Sequence, residues 1–236
     1  MDEFNKPRAN RLLAALPVTP YRRLLPSLEE VALRAEEILF EPTGPMRFVY
    51  FPISTVVSLS YLVEEEQPMV NAWRVGNEGM VGISLLLGVP NNREELAKVQ
   101  FDGLAFRISA TALRAEFRRA GALQHLLLRY VFALITQASQ LGVCSQYHST
   151  AQRLCGFLSS IFDRFRGNAV FLTHARTAEM LGVRREAITQ IACRLQDAGI
   201  IKYSRGHLSL INRQRLEERS CVCGRIIRRA LEAASE

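Results

Sequence analysis

The 236-residue chain lacks several features that would point to particular protein classes. It has one tryptophan, four histidines and five cysteines, and the first cysteine is Cys144. So few cysteines exclude a small disulfide scaffold, and a composition of 48% hydrophobic and 22% charged residues excludes a disordered chain. Because His125, Arg129 and Gln137 interrupt the longest apolar run, we expect no transmembrane helix. The N-terminal segment has no apolar core typical of a signal peptide, so we expect a cytoplasmic protein with reduced cysteines and no membrane partner.

Acidic residues are scarce in the C-terminal part of the chain. Residues 148–236 carry 15 Lys and Arg against 8 Asp and Glu, whereas residues 1–147 carry 15 of each. The whole net charge of +7 therefore lies after residue 147. A neutral half followed by a basic half favours two domains, with the basic one facing a polyanion. A basic surface that serves solubility alone is the alternative interpretation.

Short apolar or alternating runs, separated by turn residues, fill the chain between residues 31 and 109. These runs are rich in Val, Ile, Phe and Tyr, which favour strands. They are Val31–Ala35, Ile38–Glu41, Arg47–Phe51, Val56–Leu62, Met69–Val75, Ala97–Phe101 and Leu104–Ser109. Their close spacing favours a sandwich or barrel. Upstream, Ser27–Glu30 has the form of a capping box and predicts the start of a helix.

A glycine-rich segment in this β module is the candidate effector pocket. Glycines let a backbone approach a ligand closely, and successive N–H groups can hold an anion. The same sequence also fits a tight connection between strands. The candidate pocket residues are Gly76, Asn77, Glu78, Gly79 and Met80.

A long helix is predicted between the two halves. The stretch Leu123–His148 contains no proline and would be about 37 Å long. With Leu127, Leu134 and Leu141 at a positions and Tyr130 at a d position, the heptad pattern predicts a dimerisation helix. A core helix packed on the β module is the alternative. Directly afterwards, residues 149–152 have the form of a capping box, so we expect a second helix and a hinge between the two.

The basic half contains the pattern of a helix-turn-helix. Thr173 fits the N-cap of a first helix that ends at Leu181, and Gly182 fits the turn. A second helix, from about Arg184 to Ala198, has apolar residues at spacings of three and four on one face and arginines on the other. An ordinary pair of helices is the alternative, but the basic exposed face argues against it.

A β-hairpin at residues 200–211, with a basic tip, completes a winged helix. The N-terminal residues of such a recognition helix enter the major groove of B-DNA. From their side-chain donors and acceptors, we predict that base reading falls to Arg185, Glu186 and Gln190. Phosphate contacts, which set register and affinity, are predicted for Thr173, Arg184, Thr189, Lys202 and Arg205.

The order of these elements resembles the Crp/Fnr superfamily of bacterial transcription regulators. The matching stretches are Tyr50–Pro52, Gly76–Gly82, Gln152–Leu154 and Leu181–Thr189. The resemblance implies an α+β protein with a jelly-roll-like β-roll sensor domain at residues 1–120, a long dimerisation helix at 121–148 and a winged helix-turn-helix at 149–236. It also implies a homodimer that binds a palindromic operator in double-stranded DNA, responds to an effector at the β-roll and works with RNA polymerase.

The sensor half departs from the best-known members of that superfamily. Cyclic-nucleotide binders carry an Arg-Ser or Arg-Thr pair where this chain reads Glu-Glu-Leu-Ala-Lys from Glu94, although Glu78 matches their ribose-binding glutamate. Because Glu94 and Glu95 would repel a phosphate, we do not expect cyclic AMP as the effector, with Arg93 or Lys98 left as substitutes. With no cysteine in the first 143 residues, we do not expect the iron–sulfur centre of Fnr-like sensors.

The remaining candidate sites are weaker. Cys221 and Cys223 lie closer together than zinc ligands usually do, so they either join a metal or redox site or simply pack. Cys144, Cys155 and Cys193 fit packing positions. The histidines show no metal-ligand spacing and no catalytic set stands out, so we predict neither an enzyme nor a metal site. The alternative function is a β-roll small-molecule-binding protein or enzyme whose basic half mediates protein interactions.

Overall fold

A computed structural model describes residues 6–41, 44, 46–61, 70–87, 95–164 and 168–236, with the backbone alone for 70–72. After a 3-10 turn at Lys6–Ala9, the chain forms helices α1 (Arg11–Ala15) and α2 (Val18–Leu24). The side chain of Asn10 caps α1 by accepting hydrogen bonds from the amides of its first turn. These short helices pack against the core of the N-terminal half.

Two antiparallel sheets form the β module. Their strands in the described chain are β1 (Glu29–Leu33), β2 (Ile38–Phe40), β3 (Phe48–Pro52), β4 (Val57–Tyr61), β5 (Val70–Val75), β6 (Glu95–Val99) and β7 (Gly103–Ser109). One sheet has the order β1-β7-β3 and the other β2-β6-β4-β5. Apolar side chains from both sheets, such as Val57, Val75 and Ala105, form a buried core. The predicted β-roll is confirmed, while the turn predicted at 88–92, with Arg93 and Glu94, lies outside the described residues.

The helix predicted to start at Ser27 is wrong. A 3-10 turn at Leu25–Ser27 ends there, and β1 begins two residues later. The reason is cross-strand pairing, because β1 lies antiparallel to β7 with Glu29 opposite Arg107. The Glu29 carboxylate accepts hydrogen bonds from Arg107 at 2.8 and 2.9 Å. This pairing overrides the local helix signal.

A short helix, α3 (Ala110–Phe117), leads to the long helix α4 (Ala122–Tyr147), whose bounds match the prediction closely. One face of α4 packs on the β-roll and the short N-terminal helices. Tyr130, 1% exposed, lies at the centre of that face, and its hydroxyl accepts from the amide of Met80 and donates to its carbonyl, both at 3.2 Å. Helix α4 is therefore a wall of the sensor core along much of its length.

The residues predicted for the dimer seam need correction. Leu127 and Tyr130 are 1% exposed and Leu134 is 7% exposed, because the β-roll covers that face, and Leu141 lines an internal cavity. Leu127, Tyr130 and Leu134 are therefore covered within the subunit, whereas Leu141 is half-buried. The apolar side chains that α4 presents to solvent lie on another face, and they are Leu128, Phe132, Ile135, Val143 and Tyr147.

By length and composition alone, α4 is long and apolar enough to cross a membrane, contrary to the expectation from its sequence. Core helices of folded domains pass the same test. About a third of its most apolar stretch is buried inside the subunit, and α4 packs against the C-terminal helix as well as the β-roll.

The C-terminal half folds around a second core. Its elements are α5 (Thr150–Arg164), β8 (Ala169–Phe171), α6 (His174–Leu181), α7 (Arg185–Asp197), β9 (Ile201–Ser204), β10 (His207–Leu210), α8 (Arg213–Glu218) and α9 (Cys223–Ala234). The wing is a three-stranded sheet of order β8-β10-β9. Leu158, Ile188 and Leu208 lie in the shared core. The predicted winged helix-turn-helix is confirmed.

The last helix leaves this core and packs along α4, where Leu231 and Ala234 join the sensor core. The prediction that Cys193 packs inside is wrong, because its position on α7 faces solvent, whereas Cys155 is buried as expected. The far end of the chain thus connects the C-terminal half to the N-terminal half.

Replacing Gly79 by alanine should destabilise the sensor domain. A Cβ there would lie 2.2 Å from the Tyr130 hydroxyl, so the substitution has to push α4 away, at a cost of about 1–3 kcal/mol. The matched control is Gly224→Ala, where a Cβ meets nothing within 4 Å and the change favours helix. Urea unfolding midpoints measure both, and equal midpoints for wild type and Gly79→Ala would contradict the close approach.

Candidate DNA-binding surface and effector cavity

Local capping interactions build the helix-turn-helix. The Thr173 hydroxyl accepts from the amide of Arg176 at 3.2 Å and starts α6. Gly182 then takes a left-handed conformation, φ 62°, and the amide of Val183 bonds to the carbonyl of Ala178 at 3.0 Å. Glycine adopts this conformation without strain, so the chain turns sharply between α6 and α7.

The three side chains predicted to read bases lie together on the outer face of α7. Arg185, Glu186 and Gln190 are all exposed, in the first two turns of the helix. Within the described part of the chain, none of them makes a side-chain hydrogen bond or an ion pair. The opposite face of α7 packs inward through Ile188 and Ala192. The β-roll therefore leaves this surface uncovered.

The five predicted phosphate ligands fall into two groups. Arg184, Lys202 and Arg205 are exposed, one at the start of α7 and two on the wing. Thr173 and Thr189 are half-buried and already engaged, since Thr189 Oγ1 bonds to the carbonyl of Arg185 at 3.1 Å. Arg205 lies in the hairpin turn with a positive φ of 49°, so the wing tip projects a cation.

A small network under α7 was not found by sequence reasoning. The ring of His174 stacks on Tyr203 with centroids 4.2 Å apart, and its Nδ1 lies 3.0 Å from Thr189 Oγ1. The Tyr203 hydroxyl donates to the carbonyl of Leu172 at 2.7 Å. Burial, and then the charge of Arg185, lower the pKa of His174, so its ring is neutral at physiological pH. The network joins α6, α7 and the wing into one rigid unit.

The glycine-rich segment makes a tight turn that is held from several sides. The amide of Arg11 donates to the carbonyl of Asn77 at 2.7 Å, and Glu78 Oε1 accepts from the amide of Gly76 at 3.1 Å. Gly79 and Met80 pack against α4. Of the five predicted pocket residues, only Asn77 and Glu78 line the adjacent cavity. The other three serve packing, because close approach of α4 and α5 leaves them no open space.

The carboxylate of Glu78 is ion-paired with the winged helix-turn-helix half. Arg164, on α5, donates from Nε to Glu78 Oε1 at 2.7 Å, and both side chains are about nine-tenths buried. Glu78 Oε1 is therefore engaged by Arg164 and by the amide of Gly76. Lys98, named above as a substitute phosphate ligand, is paired with Glu36.

A second charged bridge joins the same two halves. Arg176, on α6, pairs with Glu36 at 2.6 Å and donates to the backbone carbonyl of Gln100 at 3.1 Å. Its side chain is 20% exposed. Together with Glu78–Arg164, this bridge fixes the orientation of the winged helix-turn-helix against the β-roll.

A cavity of about 580 Å³ lies between the β-roll, α4, α5 and α9. Its wall includes Trp73, Arg74 and Glu78 from the sensor and Phe157 and Arg164 from α5. In the described chain, three buried polar atoms here have no hydrogen-bond partner, namely Trp73 Nε1, Arg74 Nε and Glu78 Oε2. These atoms are available to a ligand.

Arginine side chains give the lining of the cavity an excess of positive charge. The guanidinium of Arg74 lies over the ring of Phe157 at 4.5 Å from its centroid. Burial, and then the charge of Arg164, lower the pKa of Arg74 to about 9. Five arginines line the cavity against the three carboxylates of Glu78, Asp163 and Glu232, and an anion would offset this excess of positive charge in a place where charge is costly.

Comparisons with known proteins agree with this architecture. Residues 152–219 match the model of the Crp-like helix-turn-helix domain. The C-terminal half of the chain therefore contains a segment similar to the Crp-like helix-turn-helix domain. Solved structures of Crp/Fnr-type regulators share the fold of this chain at low identity, and a search of curated proteins gives no match.

Three of these structures are representative. FixK2 from Bradyrhizobium japonicum has a TM-score of 0.69 and 17% identity, with 82% of this chain and 98% of that chain covered. TTHB099, a CRP-family transcriptional regulator from Thermus thermophilus, has a TM-score of 0.65 and 14% identity, covering 80% and 96%. The c-di-GMP-responsive global regulator CLP from Xanthomonas campestris has a TM-score of 0.59 and 17% identity, covering 82% and 99%. These similarities show the fold.

Breaking the Glu78–Arg164 pair should unfold the protein at lower urea concentration. Arg164→Gln leaves a buried carboxylate with one cationic partner fewer, which costs about 3–5 kcal/mol. Arg213→Gln is the control, because it breaks an exposed pair between α8 and Asp163 on α5 and should cost about 0–1 kcal/mol. Adding Glu78→Gln to Arg164→Gln should recover part of the loss. A double variant whose losses simply add would contradict the coupling.

Proposed function

We propose that the protein is a sequence-specific DNA-binding transcription regulator. The outer face of α7 is the observation that supports this most directly. Arg185, Glu186 and Gln190 are exposed, unpaired within the described chain and grouped at the N-terminal end of a helix that follows a tight turn. Their side chains offer the donors and acceptors that read guanine, cytosine and adenine edges in the major groove. An uncovered α7 face also argues against a basic half that serves only protein interactions.

The flanking cations complete the surface. Arg184 precedes α7, and Lys202 and Arg205 project from the wing, so phosphates on both sides of the groove have partners. Thr173 and Thr189 contribute by holding the helices in place, and their hydroxyls remain secondary phosphate ligands. The 13-residue α7 is about 20 Å long, which suits insertion into one groove.

A homodimer on a palindromic operator follows from the exposed face of α4. Phe132 and Ile135 are 69% and 57% exposed, and Leu128 extends the same apolar face by one turn. Exposed apolar side chains in a row on a long helix mark an interaction surface. Pairing of two such helices would present two copies of α7, with half-sites about one helical turn apart. The domains would then divide near residues 120 and 148.

The effector site is the cavity between the two halves, and its chemistry suits an anion. Arg74 and Arg164 supply positive charge, and Asn77 and Trp73 supply hydrogen-bonding atoms. An anion that draws Arg164 away from Glu78 would release one of the bridges that orient the winged helix-turn-helix. A cytoplasmic regulator of this kind would act with RNA polymerase at promoters.

Arg185→Ala should weaken binding to the preferred operator by about 1–3 kcal/mol and relax specificity at one base pair. Lys202→Ala is the control, because loss of a phosphate contact weakens all sequences alike and lowers the salt slope by about one. Operators selected from random duplexes, followed by affinity measurements at several salt concentrations, test both. If both variants weaken every sequence equally, Arg185 does not read bases.

Phe132→Glu should convert the protein to monomers, because two carboxylates would be buried at the centre of the helix pair. Sedimentation velocity measures the association state of the purified chain. Ile211→Glu serves as the control, since Ile211 is 59% exposed and lies outside α4, and it should leave the dimer intact. A Phe132→Glu protein that remains dimeric would rule out this seam.

A nucleotide effector should raise the melting temperature of the wild-type chain and of Arg118→Met, an exposed control, but not of Arg74→Met. Cyclic di-GMP and cyclic AMP are the probes. Binding to the folded state alone adds about 2.7 kcal/mol at a ligand concentration of 100 Kd. Stabilisation that survives in Arg74→Met would place the ligand elsewhere, and no stabilisation by either probe would exclude both as effectors.

A further inference from the structure

Four metal-ligating side chains meet where the end of α4 faces the start of α9. They are Cys144, His148, Cys221 and Cys223, and their ligand atoms all lie within 4.8 Å of one another. Cys144 Sγ is 3.5 Å from Cys221 Sγ, and Cys223 Sγ is 3.5 Å from His148 Nδ1. The three cysteines are buried and the histidine is half-buried.

These distances fit a tetrahedral zinc site. Zinc binds cysteine sulfur at about 2.3 Å and histidine nitrogen at about 2.0–2.1 Å, so ligand atoms in a tetrahedron lie about 3.5–3.8 Å apart. Both measured contacts lie at the lower end of this range. The remaining pairs lie within 4.8 Å, so side-chain adjustments of up to about 1 Å would bring all four ligand atoms to one ion.

Two helix ends bring the ligands together. Cys144 lies on the last turn of α4, and His148, four residues later, is the C-cap residue with which the chain leaves the helix. Cys221 and Cys223 flank Val222, the N-cap of α9. Because α9 packs along α4, the two pairs converge across 77 residues of sequence. Spacing within either pair alone gives no such indication, which is why the sequence predicted no metal site.

We propose that Cys144, His148, Cys221 and Cys223 form a Cys3His site for a thiophilic, tetrahedral divalent cation of the zinc class, which ties α9 to the end of α4. Binding replaces three thiol protons by metal–sulfur bonds and releases those protons to solvent. The neutral imidazole supplies a lone pair, and no group changes oxidation state.

The surroundings offset the charge of such a site. Three thiolates, one neutral imidazole and a divalent cation sum to −1. The N-termini of α5 and α9, helices of 15 and 12 residues, begin beside the cluster at Thr150 and Cys223, and helix N-termini favour negative charge. Arg153 and Arg228 line the adjacent cavity. The same cavity borders all three cysteines and gives an ion a path to them.

The same thiols are poorly suited to a redox role. Burial raises the pKa of Cys144 to about 12, with a further contribution from Cys221, and burial also raises the pKa of Cys223. Neutral buried thiols are slow to attack oxidants or disulfides. The His148 ring nitrogen lies within 4.8 Å of the three sulfurs, and a metal ion uses this fourth ligand whereas a disulfide does not.

Titration of the reduced full-length chain with cobalt, and then with zinc, tests the site. We expect about one ion per chain, the thiolate charge-transfer and tetrahedral d–d bands of cobalt, and their loss when zinc displaces it. Cys221→Ser and His148→Gln should each weaken cobalt binding by at least about 100-fold. Cys193→Ser removes an exposed cysteine and should change nothing. His148→Gln keeps every thiol and alters a half-buried position, so it separates loss of a ligand from loss of the fold.

Three results would overturn the proposal. The first is a reduced wild-type chain with no cobalt–thiolate band. The second is a Cys193→Ser chain that loses the band as Cys221→Ser does. The third is quantitative pairing of Cys144 with Cys221 as a disulfide in the metal-free chain, with no competition from zinc. None of these measurements involves DNA, so their outcome is independent of the proposed regulator function.

Discussion

The hydrogen bonds between the Tyr130 hydroxyl and the backbone of Met80 determine which face of α4 belongs to the sensor. A buried hydroxyl without partners costs about 1–3 kcal/mol, so this contact strongly disfavours rotation of the helix. Burial also raises the pKa of Tyr130, so the phenol keeps the proton that it donates to Met80. The absence of a side chain at Gly79 allows the ring to approach this closely. Because that face packs on the β-roll, the helical period places Leu128, Phe132 and Ile135 on the solvent-exposed face.

The loop that carries Gly79 and Met80 also carries Glu78, so the sensor core and the winged helix-turn-helix share one short segment. Glu78 pairs with Arg164 on α5, the helix that leads into the DNA-binding half. A ligand must bind one state more tightly by about 5.5 kcal/mol to move an equilibrium from 1:99 to 99:1. Removing one partner of a buried ion pair costs about 3–5 kcal/mol, which is of the same order as this difference in binding free energy. Because this amount is smaller than about 5.5 kcal/mol, under the proposed function competition for Arg164 or Arg74 would supply most of the coupling between the cavity and α7 and not all of it.

The sequence predicted those parts of the protein that depend on neighbouring residues. The cap at Thr173, the left-handed Gly182 and the basic hairpin tip at Arg205 each require only a few adjacent positions, and the structure places all three as expected. Ser27–Glu30 shows the limit of such signals, because pairing with β7 outweighed a local capping pattern. The face of α4 shows another limit, since both sides of the helix are apolar and only tertiary packing decides between them. Arg164 and Arg176 pair with carboxylates of the N-terminal half, and the sequence next to these arginines does not indicate those partners.

The position of the C-terminal helix is not predictable from its own sequence, because it packs on α4 and α5, which are distant in sequence. A helix of 12 residues is marginal in water by itself, so α9 depends on tertiary anchors. Leu231 and Ala234 anchor its last turn in the sensor core, about 12–16 Å along the axis from Cys223. The first turn buries little besides Cys223, and its neighbour Cys221 is the other buried side chain there. Three thiols and an imidazole at that end would supply a second anchor once a cation joins them, and α9 would then be held at both ends against α4. The chain enters α9 directly from α8. If the winged helix-turn-helix rotated about the break between α4 and α5, α9 would have to move with it or its contacts with α4 would be strained.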